Sequence, residues 1–219
     1  MNPINPIAIE EQEEGAVTHG RKFVFLGALG VVASVLLSAS AAADEPAPPY
    51  AACLTCHGDA GNNPIPGLMA PKLAGLNAAY ITKQLHDYQS GRRVFDAMNT
   101  LAKTLSASDV KAAADYFSAQ TRTADEVTDK SLANQGEAIV KHGIADQAVP
   151  ACVNCHNDGV TGTFRYPRLA GQKADYVLNQ LTHLKSGERH NDFGQMSRVA
   201  MRLTEGQMKA VADYVSSLN

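Results

Sequence analysis

A chain of 219 residues with 45% apolar content can build one large core or two small ones, yet only 6% of it is aromatic and it has no tryptophan. Cores so poor in rings gain from a buried prosthetic group. The formal charge of −3, with no long run of one sign in the body of the chain, excludes nucleic acid as a partner, because phosphate contacts need clustered Lys and Arg.

The first element in chain order is an apolar segment over residues 23–43. Arg21 and Lys22 flank it, residues 23–37 form its core, and residues 38–43 (SASAAA) carry the small side chains of a signal-peptidase site, with Asp44 as the mature start. The segment is also long enough to span a bilayer, so an uncleaved anchor is the rival reading. Its Ala- and Ser-rich second part favours cleavage. Residues 1–43 are thus expected to be a signal that sends the rest of the chain to the periplasm; contact with a membrane is expected only if the segment stays uncleaved.

Next comes Cys53-Leu54-Thr55-Cys56-His57, followed by a long loop to Pro71. Residues 77–90 have helical periodicity and stop near Gly91. Ser106 and Asp109 resemble an N-cap with its acidic partner, and Val110, Ala113, Ala114 and Phe117 then recur at helical spacing. Residues 121–128 (TRTADEVT) are polar, lack periodicity and read as a linker between a first domain, 44–120, and a second, 129–219. The second domain opens with a candidate helix over residues 131–142. Cys152-Val153-Asn154-Cys155-His156 follows, then a loop to Pro167 and a helix over residues 173–186. Thr204 with Gln207 repeats the cap, ahead of Met208, Val211, Val215 and Leu218.

The two halves are copies. PKLAGLNAAYITKQLHDYQSG (71–91) and PRLAGQKADYVLNQLTHLKSG (167–187) share ten of 21 positions, and residues 95–118 against 193–216 share ten of 24, in the same order. Strand alternation is absent, so the fold class is all-α, two tandem domains.

All four cysteines fall in the two CxxCH clusters, the attachment signature of c-type haem. On one helical turn, positions i and i+3 face the same way, so Cys53 with Cys56, and Cys152 with Cys155, can each reach the two vinyl groups of one porphyrin. His57 and His156 project from that same face towards the iron. Two disulfides or a zinc site are the other readings. A bridge within CxxC closes a tiny loop, and zinc does not call for the adjoining His. Two covalently attached haem c groups, one per domain, are therefore expected.

For the opposite side of each iron, Met98 and Met196 occupy matching places in FDAM and FGQM, and a thioether opposite imidazole favours ferrous iron. Methionine is also a flexible core filler, but the repeat separates these two from the rest. Met69, Met201 and Met208 face Arg165, Lys103 and Val110, and are assigned to packing or surface. His86, His142, His183 and His190 have no matching histidine, and His19 precedes the apolar segment. Pro71 and Pro167 open matching PxLAG blocks, where a proline carbonyl could fix the histidine through Nδ1–H or the ring could merely stiffen a turn. Tyr80 with Gln84, and Tyr176 with Gln180, repeat at i and i+4. Contacts to haem propionates and plain packing both account for them.

CLTCHGDAG, PKLAGLNAAYITKQLHDYQSG and FDAMNTLAKTLSASDVKAAADYF, with their second copies CVNCHNDG, PRLAGQKADYVLNQLTHLKSG and FGQMSRVAMRLTEGQMKAVADYV, resemble the cytochrome c4 family, periplasmic dihaem proteins made of two class I cytochrome c domains. The resemblance covers residues 50–218. It implies His57/Met98 and His156/Met196 ligation, proline carbonyls of Pro71 and Pro167 on the histidines, and one-electron transfer towards a terminal oxidase. One departure stands out: a class I domain begins with a helix before CxxCH, and here domain 1 offers only DEPAPPYAA, whose prolines discourage one.

The expected function is a respiratory one-electron carrier whose partners are redox proteins: a terminal oxidase, an upstream dehydrogenase or a quinol-oxidising complex. The alternative is the haem-bearing subunit of a periplasmic dehydrogenase of the flavocytochrome sulfide dehydrogenase type. A dihaem peroxidase would need an open iron position, against which both matched methionines argue.

Overall fold

The computed structural model describes residues 47–126 and 129–219, so the apolar segment and its choice between signal and anchor lie outside the described residues. Among them are nine α-helices and no strand, only an isolated bridge between Ile144 and Val149. The first half contains α1 (Ala51–His57), α2 (Ala78–Gln89), α3 (Asp96–Ala102) and α4 (Ala107–Ser118). The second contains α5 (Lys130–His142), α6 (Val153–His156), α7 (Ala174–Ser186), α8 (Gln195–Ala200) and α9 (Glu205–Ser216).

Local chemistry sets the boundaries. Ser106 and Asp109 cap each other's backbone at the start of α4, and Thr204 and Gln207 do the same for α9, both complete capping boxes. Asn77 accepts from Ala79 N at 2.9 Å to start α2. Gly187, in the left-handed region, ends α7. The helices α3 and α8, which carry Met98 and Met196, are too short for periodicity to reveal them.

Each half has its own core. In the first, Val110, Ala113, Ala114 and Phe117 of α4 pack on Ile81 and Leu85 of α2 and on Cys53. In the second, Val211, Ala212 and Val215 of α9 pack on Val177, Leu181 and Leu184 of α7 and on Ile139 and Val140 of α5. The copies differ in how the last helix is covered. Helix α5 crosses α9 so closely that a Cβ on Gly136 would lie 2.0 Å from the Ala210 carbonyl oxygen. Among the described residues the first half has no helix ahead of α1. Instead Tyr50 stacks on Tyr116, with ring centroids 3.7 Å apart and planes within 6°. This is a smaller cover: Asp115 on α4 is exposed, whereas its counterpart Asp213 on α9 is buried.

The halves are fastened through their matching PxLAG loops. Lys72 N donates to Gln172 Oε1 at 2.8 Å, and Gln172 Nε2 donates to the Lys72 carbonyl at 2.9 Å. Linker residue Arg122 reaches in to donate from Nε to the Ala74 carbonyl at 2.6 Å and from Nη2 to that of Lys72 at 3.1 Å. Gly171 leaves room for it, since a Cβ there would lie 2.9 Å from Arg122 Cδ.

Candidate functional site

Each CxxCH cluster ends on a short helical turn, α1 or α6, that presents its side chains to the core. Cys53 is buried within the first core and Cys56 is exposed; Cys152 packs against the second core and Cys155 is exposed. All four thiols are free. Burial pushes the Cys53 thiol up and that of Cys152 up to about 11. Among the described residues no three His, Cys, Asp or Glu side chains converge, so the donor set of a zinc site is not assembled.

Both histidines are buried and held alike. His57 Nδ1 lies 2.8 Å from the Pro71 carbonyl oxygen, and His156 Nδ1 lies 2.8 Å from that of Pro167. A carbonyl can only accept, so Nδ1 carries the proton and Nε2 keeps its lone pair. Burial holds both imidazoles below their ordinary pKa, with the proline carbonyls opposing, so both are neutral at pH 7. Tyr166 lies beside the second ring, 5.9 Å between centroids.

One cavity of about 430 Å³ runs through both halves. Cys53, His57, Pro71 and Met98 line it in the first, and Cys152, Cys155, His156, Pro167 and Met196 in the second. Every residue singled out from the sequence therefore faces this space, apart from Cys56 on the exposed side of its turn. The other methionines behave as packing or surface: Met69 and Met201 are exposed and Met208 is in the second core. His86, His142 and His190 are exposed, and His183 is half-buried beside Asn179 and Glu188.

Two side chains that sequence reading missed hold the methionine segments. Asn99 accepts from Phe95 N at 2.7 Å and donates to the Tyr88 and Arg93 carbonyls at 2.7 and 2.9 Å. In the second half Asp192 accepts from the backbone N–H of Met196 at 2.6 Å, of Ser197 at 3.0 Å and of Gly194 at 3.1 Å. The two are not counterparts in the repeat, so a filter that keeps only matched residues discards them.

Between the halves the cavity wall is polar, and its hydrogen bonds cross from one copy to the other. Arg93 donates from Nη1 to Gln84 Oε1 at 2.7 Å in its own half, and from Nη2 to Tyr176 OH and Gln180 Oε1, both at 2.9 Å, in the other. Its counterpart Arg189 donates from Nη1 to Gln180 Oε1 at 2.8 Å and from Nη2 across to Tyr80 OH at 3.2 Å. Asn191 donates to Gln84 Oε1 at 3.1 Å and to Asp87 at 2.6 Å. Burial raises the Tyr80 phenol, but the guanidiniums of Arg189 and Arg93 outweigh it and hold the pKa below its usual value. Burial takes Tyr88, under the Arg93 guanidinium, up to about 12.

These residues fit the group that the two motifs imply. In each half a CxxCH turn with two free thiols carries a buried imidazole to a cavity that a methionine also lines, with Cys56 alone lying off the cavity wall. His156 Nε2 is buried with no hydrogen-bond partner among the described residues, as an iron ligand would be.

Comparison with known proteins gives the same picture. The family model described as cytochrome c matches residues 133–219. The chain is 37% identical over 173 residues to cytochrome c4 of Pseudomonas aeruginosa, covering 77% of this chain and 85% of that protein. It is 36% identical over 205 residues to a thiosulfate dehydrogenase electron acceptor of Thiomonas intermedia, covering 90% of this chain and 94% of the relative. The crystal structure of reduced recombinant cytochrome c4 from Pseudomonas stutzeri superposes with a TM-score of 0.72 at 36% identity, over 78% of this chain and 95% of that one.

Proposed function

Because the chain belongs to the cytochrome c4 family of dihaem c-type cytochromes, we propose that it is an exported one-electron carrier holding one haem c in each half. The observation that carries this reading is the twofold occurrence of one arrangement. In each half a buried CxxCH histidine has its Nδ1 held by a proline carbonyl and shares a cavity with a repeat-matched methionine.

Cys53 and Cys56, and Cys152 and Cys155, would form the thioether bonds that keep each haem in an open compartment. His57 and Met98 would hold one iron, and His156 and Met196 the other, each histidine through Nε2. Each haem iron, when bound, supplies one-electron ferric–ferrous chemistry. The chain's residues set its terms. Pro71 and Pro167 fix the imidazole tautomer and orientation. As ligands, the thioethers of Met98 and Met196 would favour the ferrous state and raise the potential. The apolar walls of the cavity exclude water. A histidine and a methionine in each half would hold the iron between them and leave no position for a substrate, which supports electron transfer over catalysis.

The relative named as an electron acceptor of thiosulfate dehydrogenase supports a periplasmic dehydrogenase as the electron donor, and it keeps the subunit-like reading as the second choice. The bounds 44–120 and 129–219 for the two domains, the linker 121–128, and cleavage before Asp44 belong to the same proposal.

The test is a visible spectrum of the periplasmic protein, oxidised and reduced, with a pyridine haemochrome assay. Two haems per chain, a sharp reduced α-band and the weak long-wavelength band of Met–iron(III) ligation are expected. A high-spin component would remove one methionine from the ligand set, and absence of covalent haem would overturn the reading.

A further inference from the structure

The loop that follows each CxxCH turn takes one backbone path in both halves, although the second sequence resists it. Residues 58–61 read GDAG and residues 157–160 read NDGV. Gly58 (φ 74°, ψ 178°) is matched by Asn157 (φ 71°, ψ 167°), in a region almost reserved to glycine. Gly61 (φ 74°) is matched by Val160 (φ 48°). A β-branched residue in the left-handed region is an outlier, because its Cβ crowds the following carbonyl. Such strain persists only where the surroundings over-determine it.

Two features hold Val160 there. Its carbonyl accepts from Leu169 N at 2.9 Å and Ala170 N at 3.2 Å, just as that of Gly61 accepts from Leu73 N at 2.8 Å and Ala74 N at 3.2 Å. In each half these bonds fix the PxLAG loop, whose proline carbonyl holds the histidine. The Val160 side chain is fully buried in the second core. In the first half the same space belongs to the last helix, since a Cβ on Gly61 would lie 2.8 Å from Phe117 Cδ1. The counterpart of Phe117 is Val215, also fully buried in the second core. Bulk has passed from the helix to the loop: glycine goes with phenylalanine in one core, valine with valine in the other. A side chain that only filled the core could do so from an ordinary backbone. The strained position is the one whose carbonyl braces the histidine loop.

We propose that Val160 is a positioning residue for His156: wedged into the second core beside α9, it braces the PRLAG loop, sets the Pro167–His156 bond, and so ties the second iron's potential to the packing of Val160 and Val215. This rests on the haem reading above. A carbonyl that accepts from Nδ1–H makes the imidazole a more basic ligand, and a more basic ligand favours ferric iron. Loosening the brace therefore raises the second potential and leaves the first where it was. In the first half a ring on α4 backs a relaxed glycine, so the two irons are tuned by different devices.

The test uses the full haem-loaded protein with Val160→Gly, Val215→Phe and the two together. Both midpoint potentials are measured by spectroelectrochemistry and assigned to their halves by NMR. Hydrogen exchange at His156 Nδ1 is read against that at His57 in the reduced protein. Val160→Gly relieves the backbone but removes the wedge. It is expected to raise the second midpoint, speed exchange at His156 several-fold and leave the first half unchanged. Val215→Phe alone overfills the second core and is expected to lower the urea midpoint. The double variant rebuilds the first half's pairing. It is expected to return the second midpoint, the exchange rate and the urea midpoint towards the parent's, beyond the sum of the single effects. A second midpoint and exchange rate unmoved by Val160→Gly, a shift shared by both halves, or additive effects in the double variant overturns the proposal. Should Val160→Gly alone fail to fold, the double variant decides: a folded protein with the parent's second midpoint supports the brace, and any other result overturns it. Haem content separates the two levels. Fewer than two haems in the parent protein defeats the haem reading, whereas two haems with a second midpoint indifferent to residues 160 and 215 defeat only the brace.

Discussion

The carboxylate of Asp192 gathers the backbone N–H groups of Gly194, Met196 and Ser197 at the start of α8. Burial raises its carboxyl, but these donors outweigh it and hold the pKa below the ordinary carboxylate range. A carboxylate whose folded pKa is depressed contributes stability that is fully present above its unfolded value, about 4, and is lost as pH falls through the lower folded value. Asp192→Ala is therefore expected to lower the urea midpoint at neutral pH. The gap from the parent protein should close as the pH is taken below about 4. Denaturation curves across that range check it, and the long-wavelength band reports whether Met196 is loosened at the same time. Asp192 also shows where sequence reading stops at the residue scale. CxxCH, the matched methionines and the prolines announce themselves by spacing and repetition, whereas a cap that only one copy uses leaves no such mark.

Helices show the same division. Both capping boxes, the bounds of α2 and α7 and the starts of α4 and α9 were legible, because each is written in residues within one turn of its end. Helices α3 and α8 were not, since one or two turns give periodicity too little to work on. Among the described residues no helix precedes α1, as the prolines there lead one to expect, but the cover that Tyr50 gives by stacking on Tyr116 joins residues far apart in the chain. In the second half the crossing of α5 and α9 at Gly136 gives a test with opposed signs. Helix propensity alone says that Gly136→Ala stabilises by about 1 kcal/mol. The 2.0 Å approach of a new Cβ to the Ala210 carbonyl says that the helices must part, and overpacking of this kind costs about 1–3 kcal/mol. Close approach is expected to win, and chemical denaturation of G136A should show a net loss.

At the scale of the whole molecule, two separate cores are joined by polar contacts rather than by a common apolar layer. Gln172→Leu leaves the buried N–H of Lys72 without its partner, a loss of about 1–3 kcal/mol that falls on the junction and on neither core. Calorimetry of the haem-loaded protein is expected to show one unfolding transition in the parent and two in Q172L, as each half then melts by itself. These contacts were invisible in the sequence because they link positions about a hundred residues apart, one from each copy. Duplication aligns such residues on paper but does not say that one copy's arginine will reach for the other's tyrosine.

The burial of Cys53 has a consequence for biogenesis. Its thiol lies within the packed first half, while Cys56 four positions from Ala52 stays accessible on the same turn. An attachment machinery cannot reach the inner thiol once α2 and α4 have closed over it. Thioether synthesis is therefore expected to precede compaction, on a chain still extended, with the porphyrin as the nucleus around which the first half condenses. Maturation is irreversible in the same sense: a finished molecule stripped of its prosthetic groups has no route to recharge short of being unfolded.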